Sequence, residues 1–191
     1  MGQQHTQIAG PVSIVDGDAA FYKDIQQLCD ERYGTGYLHR DDFVHWLERP
    51  RLLKIALLDG EFAGFAVMIP ASVGLVMKKM DMPRADVLRI SGEKPSLIYK
   101  SAAVKKRFEH RGIMKAMADA GLREARAEGF GAVYGSAWVC NGTLPIEGTF
   151  RAFGFQRLYE RKMLWYDDPD YHCVVCGGRC ACDAVIYYKK L

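Results

Sequence analysis

The sequence predicts a mixed α/β (α+β) domain built on one mixed, mostly antiparallel sheet of about seven strands. Three observations carry this. Apolar runs flank Asp59-Gly60, a dipeptide that accepts positive φ at both central turn positions and so joins two antiparallel strands. A strand, loop, helix and strand follow one another between Ser96 and Val139, which is a single βαβ crossover. The chain has 191 residues, 49% of them hydrophobic and 26% charged, which suits one folded domain and excludes a disordered or fibrous chain.

The elements follow in order. Val12 to Val15 is a short apolar strand. Asp18 caps the helix after it, because its carboxylate accepts from free first-turn amides. Phe21, Ile25, Leu28 and Cys29 form the buried stripe of that helix, and Gly34 and Gly36 end it. A second helix is capped by Asp41 or Asp42, carries Phe43, Trp46 and Leu47 on one side, and stops at Pro50. Leu52 to Leu58 and Phe62 to Ile69 are the hairpin strands. Residues 71–96 hold Pro83, Pro95 and mixed charge, and read as an elaborated connection with one short helix. Ser96 to Val104 is a strand. Ile113, Ala116, Met117 and Ala120 mark a helix that ends near Gly129. Ala132 to Val139 is a strand, residues 143–153 a short helix, Phe155 to Tyr166 one long strand, and Ala184 to Lys189 the last strand. This order departs from the strict alternation of a doubly wound parallel sheet. The expected division is a main unit over 1–170, with a Cys-rich hairpin and final strand over 171–191 in the same domain.

Charge bounds the partners. Lys and Arg number 26 and Asp and Glu 23, a net of +3, too little by itself to indicate nucleic acid. The uncharged stretch Phe62 to Met77 contains Pro70 and falls short of the roughly 20 residues that span a bilayer. Met1 to Thr6 is polar, so no signal peptide is expected and the cytoplasm is the expected compartment. The same hexapeptide fits an N-myristoylation pattern, but one such signal anchors weakly and no membrane partner is expected. Asn141-Gly142-Thr143 fits a glycosylation sequon and reads as a turn.

The most informative segment is Val104-Lys105-Lys106-Arg107-Phe108-Glu109-His110-Arg111-Gly112-Ile113-Met114. A strand ends, a basic loop follows, and a helix starts just after Gly112. First-turn amides have no internal acceptor, and the helix dipole places partial positive charge there, so such an end binds phosphate. Gly112 lets backbone approach a ligand closely. From Lys100 to Arg126 there are eight Lys or Arg and three Asp or Glu, a net of 8 − 3 = +5. A solvated basic helix face is the plain alternative.

In context, this segment resembles the GNAT superfamily of acyl-CoA-dependent N-acetyltransferases. Glu109-His110-Arg111-Gly112-Ile113-Met114 matches the family's Gln/Arg-x-x-Gly-x-Gly/Ala loop at Arg111 and Gly112, and departs from it at Glu109 and Met114. Trp138-Val139-Cys140-Asn141 matches the strand end followed by Asn, and Phe150 to Phe155 matches the family's aromatic-x-x-x-Gly-Phe pattern. The resemblance runs from about Ser13 to Tyr166. It implies helices on both faces of the sheet and transfer of an acetyl group from acetyl-CoA to a primary amine. It places CoA pyrophosphate on the amides of residues 109–114 and pantetheine along Ala102, Ala103 and Val104, with Asn141 and Phe150 flanking the cofactor. The family often uses a tyrosine at the position of Phe150 to protonate the thiolate. Phe150 has no proton to give, so Tyr134, Tyr99 or Ser101 is the expected substitute, with Tyr134 taken as the acid. Glu147 and His110 are the candidates for general base, with Glu147 taken. The acceptor is a small-molecule amine or a peptide amine, and the chain acts alone or as a homodimer. A non-catalytic CoA-binding module with the same fold is the rival, favoured by the missing acid. Trp46 and Trp138 line an acceptor cleft or pack in the core.

Cys173, Cys176, Cys180 and Cys182 lie within ten residues. Cys-x-x-Cys-Gly-Gly has the form of a metal knuckle, and four thiolates suit a tetrahedral structural zinc. Reduced thiols on a hairpin around Gly177-Gly178, or a disulfide, are the alternatives. The resemblance is silent about this element.

Overall fold

A computed structural model describes residues 11–48, 52–139, 141–168 and 171–191. The N-terminal hexapeptide, the helix stop at Pro50 and Cys140 lie outside the described residues. The strands are β1 (Val12–Asp16), β2 (Leu53–Leu58), β3 (Glu61–Ala71), β4 (Ser96–Val104), β5 (Ala132–Trp138), β6 (Gln156–Arg161) and β7 (Ala184–Lys190). The helices are α1 (Tyr22–Arg32), α2 (Arg40–Trp46), α3 (Val73–Met80), α4 (Arg84–Ser91), α5 (Ile113–Ala127) and α6 (Glu147–Ala152).

Asp59 and Gly60 both take positive φ, 52° and 78°, the conformation that lets a two-residue turn follow the twist of β2 and β3. The seven strands form one sheet in the order β1-β2-β3-β4-β5-β7-β6. Only β4 and β5 pair in parallel; the other five neighbouring pairs are antiparallel. The parallel pair is the one joined through α5, as a crossover requires.

Each face of the sheet is covered. On one face α5 and α6 bury Ile113, Met117, Leu122 and Phe150 against Ala66, Leu97, Tyr99 and Val133. On the other, α1 and α2 cover β2 and β3 through Ile25, Leu28, Phe43 and Trp46. Beside them α3 and α4 cover β4, β5 and β7 through Val76, Met80, Val87 and Ile90. Each such large side chain contributes about 1.5–3 kcal/mol on burial.

Three elements differ from the sequence reading. His39 precedes α2, so Asp41 and Asp42 lie in its first turn and do not cap it. Residues 71–96 hold two helices, not one. Ser72 caps α3 by accepting from the Leu75 amide, and Asp81 ends it in the left-handed region. Pro83 opens α4 rather than breaking it, since a helix start needs no N–H from that residue. The strand expected over residues 155–166 stops at Arg161. Asp183 accepts from the Lys162 ammonium and the Met163 amide, and these bonds draw the chain into a turn.

Candidate active site

Strands β4 and β5 are paired from Ser96↔Ala132 to Tyr99↔Gly135 and no further. Beyond that point β4 stays bonded to β3 up to Val104, and β5 stays bonded to β7 up to Trp138. The sheet therefore opens into a V whose apex is Tyr99 and Gly135. Opposite Val67 and Met68 the register skips Lys100, a bulge that turns β4 at the start of the opening.

The Lys105 amide donates to the Ala63 carbonyl at 2.8 Å, which sets the phase of the β3–β4 ladder. By strand alternation Ala103 turns its main chain to β3, while Ala102 and Val104 turn theirs to the free edge. The carbonyls on that edge are already used. Tyr33 donates its hydroxyl to Ala102, Arg32 donates to Val104 at 2.7 Å, and Tyr37 donates to Lys100 at 3.3 Å. The amides of Ala102 and Val104 project from the same edge and leave it a row of donors.

At the mouth of the V stands the loop before α5. A single 3-10 turn over Lys106–Phe108 leads to His110 and Gly112, both with positive φ. Open space surrounds the Gly112 Cα, so glycine is required there for its φ of 75° and not for room. The first helical bond runs from the Ala116 amide to the Gly112 carbonyl, which leaves the amides of Ile113, Met114 and Lys115 without helical acceptors. No acidic residue lies in the first turn of α5. Lys106, Arg107, His110 and Arg111 are exposed. Glu109, the departure from the family pattern, is paired with Arg32 at 2.5 Å, so its charge is neutralised from α1 rather than turned on the loop. Met114, the second departure, points its sulfur at the apex, where the Tyr99 hydroxyl lies 3.9 Å away.

The remaining candidates are placed as follows. Tyr134 is 0% exposed on the α4 face, and its hydroxyl donates to the Val87 carbonyl at 3.1 Å. Phe150 is 2% exposed and packs on Tyr99, Phe155 and Tyr187 at centroid distances of 5.6, 4.5 and 5.3 Å. Its ring fills the space where Gly135 has no side chain, 2.7 Å from an added Cβ. Glu147 begins α6 and accepts from the Tyr187 hydroxyl at 3.0 Å. Asn141 lies in an exposed turn after β5 with φ 48°. Trp46 is stacked on Phe65 in the core, so the cleft role weighed for it falls away, whereas Trp138 is at the opening.

The wall opposite the basic loop was not read from the sequence. Tyr33 and Tyr37 pack as a tilted pair at 4.4 Å, Tyr171 meets Tyr37 edge-on at 5.7 Å, and Trp138 lies 6.3 Å from Tyr33. The Lys100 ammonium sits 5.2 Å from the centre of the Tyr37 ring. Burial lowers the pKa of Lys100, opposed by the carboxylates of Asp42 and Asp168. Burial raises those of Tyr33, Tyr37 and Tyr99, so all three hydroxyls keep their protons. Ser101 Oγ is buried beside the two tyrosine hydroxyls without a well-formed hydrogen bond. The signal for this wall is Tyr-Gly-Thr-Gly-Tyr at residues 33–37, a glycine-broken turn with a ring at each end.

Among the described residues, no helix is long and apolar enough to cross a membrane. The family model described as acetyltransferase (GNAT) family matches residues 19–155, well over half of the chain. No curated protein sequence matches it. Many solved structures share its fold. An agmatine N-acetyltransferase is 13% identical, with a TM-score of 0.66 over 94% of this chain and 99% of that one. A NatC complex bound to Gag peptide and CoA is 14% identical, with a TM-score of 0.69 over 94% of this chain and 98% of that one. A GNAT family acetyltransferase from Elizabethkingia anophelis with acetyl-CoA bound is 16% identical, with a TM-score of 0.62 over 94% of this chain and 98% of that one. With the family model spanning the V, its loop and the helix after it, the chain belongs to the GNAT family of acetyltransferases.

Proposed function

We propose that the chain transfers an acetyl group from acetyl-CoA to a primary amine. The observation that carries this is the parting of β4 from β5 at Tyr99 and Gly135, with an uncapped helix start at the mouth. The pyrophosphate rests on the amides of residues 112–115, and Lys106 and Arg111 raise the potential there. Pantetheine runs along β4 and offers its carbonyls to the amides of Ala102 and Val104, because the carbonyls beside them are held by Tyr33 and Arg32. The bound-CoA and bound-acetyl-CoA structures that share the fold support this cofactor.

The amine nitrogen attacks the thioester carbonyl carbon, and the carbonyl oxygen takes the electron pair. An edge amide of β4 stabilises that oxygen. The pair returns, the C–S bond breaks, and the sulfur leaves as a thiolate. Tyr99 gives the sulfur its proton, and the proton that the attacking nitrogen sheds returns the Tyr99 phenolate to its hydroxyl. Tyr99 stands at the apex, its hydroxyl has only a weak thioether partner among the described residues, and burial keeps it protonated. Tyr134 is given no role in this scheme, since its hydroxyl is committed to Val87 on the α4 face. Glu147, engaged by Tyr187, orders the start of α6. Most of the rate comes from positioning and fixed dipoles, so no covalent nucleophile is needed. The acceptor enters along the wall of Tyr33, Tyr37, Trp138 and Tyr171. Small amines and peptide amines, the groups named for the agmatine and NatC structures, are the classes to test.

A panel of amines with acetyl-CoA, read by release of free thiol, tests the reading. Thiol release above the hydrolysis rate for at least one amine is expected. CoA that raises the melting temperature without turnover of any amine points to the binding module instead.

A further inference from the structure

The four C-terminal cysteines are built for an ion. The Sγ atoms of Cys173, Cys176, Cys180 and Cys182 all lie within 4.8 Å of one another. Cys173 and Cys176 stand 3.8 and 3.5 Å from Cys182. Four thiolates around zinc at about 2.3 Å place their sulfurs about 3.8 Å apart, which is this spacing. The loop also brings donors near sulfur. The amides of Val175 and Cys176 lie near Cys173 Sγ, and the amide of Cys182 lies near Cys180 Sγ. Gly177, at φ 69°, makes the turn that brings the pairs together, and the Cys173 amide donates to the Gly178 carbonyl at 2.8 Å. The buried indole N–H of Trp138 lies beside Cys182 Sγ. Donors so placed are positioned to orient the ligands once the thiolates form.

The knuckle is tied to the wall opposite the basic loop. Tyr171 donates to the Tyr33 carbonyl at 2.8 Å, and the Val174 amide donates to the same oxygen at 3.3 Å. A Cβ on Gly34 would lie 1.8 Å from the His172 carbonyl, so the turn at residues 33–37 and the knuckle are in direct backbone contact.

We infer that Cys173, Cys176, Cys180 and Cys182 hold one tetrahedral zinc ion, and that the loaded knuckle clamps the Tyr33–Tyr37 turn onto the free edge of β4. The metal site and the clamp stand on the geometry of the knuckle and its contacts; only the reading of the clamped turn as the acceptor wall rests on the acetyltransferase reading above. The ion binds as four Cys S–H groups give up their protons to solvent, with no redox change.

The test uses the full chain purified without chelator. Elemental analysis is expected to give one zinc per chain, with zinc lost in Cys173→Ser and Cys182→Ser and kept in Cys29→Ser. Should the buried substitutions fail to fold, the exposed Cys176→Ser and cobalt exchange into the unaltered chain decide, the latter through the visible bands of a tetrahedral thiolate site. A folded chain with no metal and four titratable thiols, or with a disulfide among the four by intact mass, overturns the proposal. For the clamp, zinc removal is expected to speed amide hydrogen exchange about tenfold over residues 33–37 and to leave residues 113–120 unchanged. Equal exchange in both regions with and without zinc overturns the clamp. CoA binding to the zinc-free chain is followed in parallel. Its absence in loaded and unloaded protein alike would count against the acetyltransferase reading and leave the metal result standing.

Discussion

The two rims of the V are built on different principles. The α5 rim is local: a strand end, a basic loop, Gly112 and an uncapped helix start are contiguous in the chain, and their donors are backbone amides. The opposite rim is assembled from four separate places, with Tyr33 and Tyr37 after α1, Lys100 in the β4 bulge, Trp138 at the end of β5, and Tyr171 beside the cysteine knuckle. Backbone amides at a helix start can serve any phosphate, so that rim suits a cofactor shared by many enzymes. Side chains gathered across long separations can differ freely, so the other rim suits the acceptor. The contrast is sharpened by changes that should damage one rim and spare the other.

The largest effect is expected for Gly112→Asp. A side chain at φ 75° costs about 1–3 kcal/mol, and a carboxylate faces the pyrophosphate, so CoA affinity by calorimetry should fall several hundredfold, on the order of 3.5 kcal/mol. Unchanged CoA affinity would remove the loop from the cofactor site. Next is Tyr99→Phe, which should cut kcat roughly a hundredfold with CoA affinity retained. An unaltered kcat would move the proton donor elsewhere. Arg32→Met strips Glu109 of its partner and frees the Val104 carbonyl, and CoA affinity should drop about tenfold. Adding Glu109→Gln should restore part of that loss; additive losses would show that Glu109 is not the source. Smaller still, Tyr33→Phe, which frees the Ala102 carbonyl on the pantetheine edge, should weaken CoA binding less than Arg32→Met does and raise the acceptor KM about threefold.

At neutral pH the smallest effect comes from tyrosine ionisation, and it grows with alkalinity. Burial raises the pKa of Tyr33, Tyr37 and Tyr99. Unfolded tyrosines release their protons near pH 10, whereas these three hold theirs in the folded chain. The folded state binds more protons there, so stability is flat below about pH 9 and falls as pH rises through 10. Melting temperatures across that range check the sign. Cys29, buried with a pKa pushed up to about 12, should stay unreactive to thiol reagents throughout.

Much of the framework was legible because it is written in local chemistry. Asp59-Gly60 has one good use between two apolar runs, and it makes the hairpin turn. The stripe through Ile113 and Met117 marks a helix face whose burial the sheet then supplies. In residues 71–96 the local signals are subtler, since two prolines and mixed charge surround them: Ser72 is a cap, and Pro83 a helix start rather than a break. Tyr134 shows where reading by strand proximity fails. A strand residue's side is set by one step of register, and this one faces α4.

What the sequence determined by itself is therefore most of the strands and helices, the glycine that starts α5 and the four cysteines with ligand spacing, because each depends on neighbours a few residues away. The tertiary structure decided that Arg32 answers Glu109, that Tyr33 and Tyr37 hold the edge of β4, and that the knuckle stands behind them. Those pairings join residues as far as 138 positions apart, as in the bond from Tyr171 to Tyr33, and only the order of strands in the sheet brings them within reach.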